Sequence, residues 1–428
     1  MKCVKVLLSV LLGIALVTGV FAGGGQQGAA NKPDDGKKLM FWSFLGGADA
    51  AYIDQILVDY NNSGPTKQIE SIMIDQSEYY TKLPVAVAAG QGPDIGMSHA
   101  ARLPRMVEDG IVIALDDYAA KAGVNWNDYS PAMNEGITFS GKKYAVPLDN
   151  HGVIMYVNVD KLKAAGVPVN SSNQISVGSA ADFKAIMDKI KPTLPADETV
   201  LSLPQTGGNA RAAWWATYFQ MGGTQLVNAA GTQVTFDKAI AARAMDYVKS
   251  LWTDGYILPG IQNQSTVFSS QKAALVFSGT WLTGSFSNTA GLNFGAQPFP
   301  RLFGTNDALY MDAHVFTIPT NRFRSAADTQ AGVEFIYWVS TKGGPTWAQS
   351  GQIPASLTVQ SSPAFTALPR RADYAKAAST AVFPIKNVNT GAFLDLLSKN
   401  LDLVWNNQAT SAVAAQNIAD EIQELLKN

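Results

Sequence analysis

From Lys38 onward, short apolar runs of strand length alternate with longer stretches whose apolar residues recur every three to four positions. That alternation constrains the fold most, because a period of two buries one face of a strand and a period of 3.6 buries one stripe of a helix. Leu39-Met40-Phe41-Trp42 reads as a first strand. Ser43 and the Gly46-Gly47 turn follow it, Asp49 stands where a helix cap belongs, and Ile53, Ile56, Leu57 and Tyr60 mark the helix stripe. Ile69 to Ile74 alternates as a second strand and completes a βαβ unit. The pattern recurs with a helix from Ser77 to about Ala89, a strand at Asp94–Ser98, a helix near Arg102–Glu108 and an apolar piece at Ile111–Leu115. Pro84 is discordant within its helix, where proline removes a hydrogen bond and bends the axis.

A second region opens with the alternating strand Val153–Asn158 and continues through amphipathic helices near Ala180–Lys191, Ala210–Met221 and Lys238–Thr253 to a strand at Ala273–Phe277. After Pro298-Phe299-Pro300 come a strand at Val315–Ile318, a helix near Ala327–Ser340 and terminal helices at Asp395–Val404 and Ala412–Leu426. Strands alternating with helices imply an α/β fold on largely parallel sheets, and 428 residues are enough for two or three domains. No short repeat of the solenoid kind is present.

The start of the chain reads as an export signal. Lys2 and Lys5 precede the apolar run Val6–Val17, and Val20-Phe21-Ala22 offers small residues for cleavage, so residues 1–22 are expected to be removed. Residues 23–37, rich in Gly, Gln and Asp, are expected to form a flexible leader. The single cysteine, Cys3, precedes the apolar run, so it provides neither a disulfide nor a lipid anchor, and a free periplasmic or secreted protein is expected rather than a lipoprotein. A formal charge of −2 with no basic stripe excludes nucleic acid as an expected partner.

Several segments, taken in order, resemble the extracellular solute-binding proteins of ABC importers, in particular the sugar-binding, maltose-type branch. Phe41 to Asn62 is similar to that family's first strand, ligand loop and helix, and Gly90 to Tyr118 carries a G-x-x-PD strand followed by a stretch ending in Leu-Asp-Asp. Tyr144 to Val167 resembles the first crossing between lobes, Leu275 to Phe286 its G-x-W loop, and Met311 to Pro319 and Ser350 to Ser356 the two later crossings. The helix near Val177 to Phe183 lacks the Trp often found there in the family. The resemblance implies a two-lobed α/β fold of the type II periplasmic-binding-protein kind, each lobe a mostly parallel sheet flanked by helices, with three hinge crossings. Residues 38–147 with 310–355 would form lobe 1, and 148–309 with 356–428 lobe 2. It also implies a sugar ligand, the membrane subunits of an ABC importer as partners, and a monomer; no cofactor or metal is expected from the residues themselves.

A sugar presents two weakly apolar faces and a rim of hydroxyls, so its site needs aromatic rings at turns and polar side chains around them. Trp42 before the Gly-rich loop, Trp214 and Trp215 after Gly207-Gly208, and Trp281 beside Gly279 are the candidate rings, with Trp252, Trp338 and Trp347 assigned to the core. Among polar groups, Ser43 lies in the first loop, and Asp149, Asn150 and His151 follow the Pro147 crossing. Asp312 and His314 flank the return crossing. Ser98 and His99 end a strand, where open α/β sheets bind ligands. Tyr79 and Tyr80 are expected to send one ring to the cleft and one to the core, and Arg211 stands before its helix as a donor to hydroxyls. The competing class is a secreted carbohydrate hydrolase, which needs two acids at a set separation. No H-E-x-x-H, G-x-S-x-G, P-loop or dinucleotide motif occurs, and the three histidines at 99, 151 and 314 are too scattered in sequence to suggest a metal.

Overall fold

The alternation of periods resolves into two sheets. In the computed structural model, which describes residues 36, 38–304 and 306–427, the strands β1 (Leu39–Ser43), β2 (Ile69–Met73) and β3 (Ile95–His99) pair in parallel in the order β2-β1-β3. The expected signal, and the leader apart from Gly36, lie outside these residues. Helix Ala50–Asn62 joins β1 to β2 and buries Ile53, Ile56, Leu57 and Tyr60, the stripe its spacing dictates. Helix Gln76–Ala88 makes the next crossover, capped by Asp75, which accepts the Ser77 N–H, and Pro84 sits inside it without ending it.

A hairpin of β4 (Thr138–Phe139) and β5 (Lys142–Lys143) precedes β6 (Val146–Pro147). The second sheet gathers around β7 (Asp149–Asn158), which is buried on both faces over nearly its whole length. Its other members are β8 (Thr199–Ser202), β9 (Ala273–Gly279), β10 (Phe294–Gln297) and β11 (Leu309–Asp312). The chain then returns: β12 (His314–Thr317) enters the first sheet between β3 and β6, β13 (Ile353–Pro354) pairs with β7, and β14 (Ala381–Val382) lies beside β11. Parallel pairing holds within β2-β1-β3, β8-β9 and β11-β14, whereas every pair made by β7 or β12 is antiparallel. Both sheets are therefore mixed, because a chain that crosses between lobes and comes back runs opposite to itself at the crossing.

The three crossings lie side by side. The Leu148 N–H donates to the His314 carbonyl at 2.9 Å, and the Ala355 N–H donates to the Leu148 carbonyl at 2.9 Å. Because β11 ladders with β7 in the second sheet and β12 with β3 in the first, the chain passes from the second sheet to the first at Ala313. Gly351 turns the chain into the last crossing with φ +119°, and a Cβ there would stand 2.1 Å from the Thr280 carbonyl oxygen, so no other residue fits without displacing backbone.

One apolar core packs on the first sheet around Phe41, Phe316 and Phe335. A second surrounds Tyr156, Phe183 and Phe277. A third fills the space between helix Gly207–Gln220 and the terminal helices Thr390–Trp405 and Ser411–Leu425 with Trp214, Trp215 and Trp405.

Candidate functional site

The loops leaving β1 and β3, the start of β12, the start of β7 and the turn after β9 converge on a cleft of about 670 Å³ between the first and second cores. This is the position expected of a ligand site in an open α/β sheet, at the carboxyl ends of parallel strands. Trp281 supplies its exposed aromatic face. The residue lies in a 3₁₀ turn, Thr280–Leu282, and its ring folds back over Gly279, whose missing Cβ leaves the room: a Cβ there would meet the ring at 2.1 Å. Across the cleft, Phe44 stacks on His99 with centroids 4.7 Å apart, and on the side of Trp281 the Arg211 guanidinium lies 5.5 Å from the centre of the Tyr310 ring.

The polar heart of the cleft is built on Asp149. Fully buried at the first residue of β7, it accepts from His314 Nδ1 at 2.9 Å, His151 Nδ1 at 3.1 Å, the Trp347 indole N–H at 2.8 Å and the His314 backbone N–H at 3.1 Å. Burial alone would push its pKa up, yet the His314 charge interaction and the imidazole hydrogen bonds outweigh burial and hold the carboxyl well below the ordinary range. Asp312 has no imidazole donor. Burial raises its pKa against the opposing His151 interaction, and among the described residues its carboxylate accepts the Ala313 and Ala101 N–H groups. Burial likewise lifts Asp49 to about 7, helped by the nearby Asp149 charge. Asp49 occupies the helix-cap position but makes no side-chain cap; it accepts from the Gln352 amide at 3.0 Å instead.

All three histidines of the chain meet here. One nitrogen from each ring lies within 4.8 Å of the others, and the His151 and His314 rings stack at 4.0 Å. His99 Nδ1 meets the Tyr80 hydroxyl at 2.7 Å, and the same hydroxyl accepts the His99 backbone N–H. Burial lowers the pKa of His99 and of His314; for His151 burial is outweighed by the hydrogen bond and charge of Asp149, which raise it.

Of the residues expected from sequence, Trp281, Arg211, Asp312 and His314 line this cleft, and Asp149 lies directly behind its imidazoles. Gly279 underlies Trp281. The others lie elsewhere. Trp42 packs half-buried on the first core, Ser43 is buried with its hydroxyl accepting the Leu45 N–H, Tyr79 is a core ring whose hydroxyl accepts the Met97 N–H, and Tyr80 packs part-buried on the same core and reaches the cleft only through His99. Ser98 is fully buried and donates to the His99 carbonyl. Asn150 faces a second cavity of about 620 Å³. Trp214 and Trp215 are fully buried in mid-helix and donate to the Ala241 and Val382 carbonyls, because their side of that helix packs in the third core, while Arg211 on the same helix reaches the cleft. Phe44, Tyr310, Gln352 and the gathering of histidines escaped sequence reasoning; the only signal for Phe44 was its place after the first strand.

A family model described as bacterial extracellular solute-binding protein matches residues 56–373. The maltodextrin-binding protein MdxE of Bacillus subtilis is 25% identical over 285 residues, covering 63% of this chain and 61% of that protein. A maltotriose-binding protein of Pyrococcus abyssi is 22% identical over 268 residues, 62% of this chain and 54% of that protein, so the matches span between half and two thirds of these relatives. The GacH receptor of Streptomyces glaucescens, solved unliganded and with acarbose, superposes with a TM-score of 0.79 at 19% identity over 91% of this chain and 98% of that one. Its two-lobed fold is the fold described above, and among the described residues no helix is long and apolar enough to cross a membrane. The family match over most of the folded residues and the shared architecture together place this chain among the bacterial extracellular solute-binding proteins.

Proposed function

We propose that the chain is the substrate-binding component of an ABC sugar importer, an exported monomer that holds a mono- or oligosaccharide between lobes 38–147 with 313–355 and 148–312 with 356–428. The observation that carries this reading is Trp281. Its ring is only part-buried, lies flat over a glycine and borders a cleft whose rim offers Arg211, Asp312, His314 and Gln352. A ring of this kind covers one sugar face while the rim binds hydroxyls, and the relatives named for maltodextrin and maltotriose binding support the choice of ligand class. Closure would turn on the three laced crossings, and the closed form would be the one presented to the importer's membrane subunits.

The hydrolase alternative finds little support. A glycosidase needs one acid free to protonate and another to attack or activate water. Here Asp149, the cleft carboxyl held in its ionised form, is consumed by four donors and cannot serve as the second acid.

The test incubates the chain with a panel of mono- and oligosaccharides and follows melting temperature, calorimetric binding and the integrity of the sugar. Binding to the folded state raises the melting temperature by mass action, with the sugar recovered unchanged. Cleaved sugar would establish the hydrolase, and a panel in which no sugar binds would overturn the ligand class.

A further inference from the structure

We propose that His99, His151 and His314 bind one divalent transition-metal ion of the zinc class in the cleft. The chain has three histidines in 428 residues, and strand register brings every one of them to a single point. His314 stands directly opposite His99 in the β12–β3 ladder, and His151 stands opposite Asp312, two residues from His314, in the β11–β7 ladder. One nitrogen of each ring is already within 4.8 Å of the other two. Around a tetrahedral ion with Zn–N bonds of about 2.0–2.1 Å, ligand nitrogens stand roughly 3.3 Å apart. Spacings within 4.8 Å are already near that value, and rotation about the side-chain bonds sets which nitrogen of each ring faces the ion.

The hydrogen bonding points the same way. His151 and His314 each commit Nδ1 to Asp149, which leaves Nε2 as the atom able to ligate. His99 commits Nδ1 to Tyr80, leaving Nε2 again. Among the described residues no hydrogen bond uses Nε2 of any of the three. A carboxylate that orients imidazoles through Nδ1 is the support metal-binding histidines characteristically have, and here one carboxylate orients two. Imidazole ligands favour zinc, copper, nickel or cobalt over magnesium and calcium. Three protein ligands leave a coordination position toward the cleft, open to water or to an oxygen of a bound solute. Three imidazoles packed in one cleft, with Nε2 of each in no hydrogen bond among the described residues, are the donor set a shared cation requires.

This inference does not rest on the sugar reading. The test uses the full chain without an affinity tag, stripped with a chelator and titrated with Zn²⁺ by calorimetry and with Co²⁺ by visible absorption, with Mg²⁺ and Ca²⁺ as comparators. The expected result is one equivalent of Zn²⁺ bound at micromolar affinity or tighter, intense four-coordinate Co²⁺ bands, and no Mg²⁺ or Ca²⁺ binding. His99→Ala or His151→Ala should weaken Zn²⁺ binding at least 30-fold, and Tyr80→Phe, which removes no ligand, by about 10-fold. Melting in chelator reports whether each variant folds, and the Co²⁺ spectrum of the unaltered chain needs no variant. Absence of stoichiometric Zn²⁺ binding, weak six-coordinate Co²⁺ bands, or unchanged affinity in variants that melt like the parent would overturn the proposal. Sugar binding that persists in chelator leaves the importer reading intact whichever way the metal titration falls.

Discussion

Trp281 and Asp49 show how single residues divide the cleft's work. Trp281 gives its ring to the cleft while Gly279 beneath it carries no side chain, so truncation removes contact area without disturbing a core. Trp281→Ala is expected to weaken sugar binding by about 1–3 kcal/mol through lost stacking and apolar burial. Calorimetry reads the loss, and a circular dichroism spectrum and melt matching the parent establish that the fold is intact. Asp49 is the opposite case, a buried acid with one oxygen on Gln352 and the other, Oδ1, without a partner. Its folded pKa of about 7 lies above the unfolded value near 3.8, so its contribution to stability is complete below about pH 4 and is lost as pH rises through 7. Asparagine does not titrate. Asp49→Asn in chelator should therefore melt progressively above the parent between pH 5 and pH 8, and melting curves with a constant gap across that range would refute the burial argument.

At the scale of elements, the crossings are where sequence is least free. Gly351 combines a φ of +119° with a carbonyl oxygen 2.1 Å from where its Cβ would lie, in the turn that feeds β13. Gly351→Ala is expected to cost about 1–3 kcal/mol from backbone strain alone, with the carbonyl clash added, and a denaturant midpoint measures the total. The helices behaved more simply. Lys238–Thr253 begins and ends where its spacing and the Asp237 cap put it. Helix Gln76–Ala88 keeps Pro84 because the turns around it are held by tertiary packing, Tyr79 and Leu83 being buried in the first core. Helix Gly207–Gln220 is buried on nearly every side, so its two tryptophans have no solvent face to offer a ligand.

For the whole molecule, the crossings make relative lobe motion the natural response to a ligand that touches both sides. A ligand shifts the open–closed balance only through its differential affinity for the two states. The Arg102–Asp395 pair, a two-pronged bridge of 3.0 and 2.6 Å, joins the loop after β3 to helix Thr390–Trp405 across the mouth of the cleft. Both partners are partly exposed, so the bridge contributes no more than about 1 kcal/mol. Asp395→Ala is expected to enlarge the radius of gyration without sugar and to leave the saturated complex as compact as the parent's. Small-angle scattering with and without the identified sugar checks both halves, and identical unliganded profiles would remove the bridge from the closing mechanism.

The sequence by itself determined the α/β class, the order of most helices and strands and the turn that carries Trp281, because these depend on local periodicity and turn chemistry read over a few residues, whereas the expectation of a crossing at Pro147 came from the family resemblance. Tertiary structure alone decided which candidates face the cleft. Trp42, Tyr79, Ser98 and Trp214 satisfy the same local criteria as Trp281 yet point into cores, since facing is set by which side of a strand or helix a neighbouring layer covers. The three histidines carry the same lesson in reverse. Separated by 52 and 163 residues in sequence, they are joined by the registers of β12 with β3 and of β11 with β7, and a ladder's register is a long-range pairing that no local pattern records.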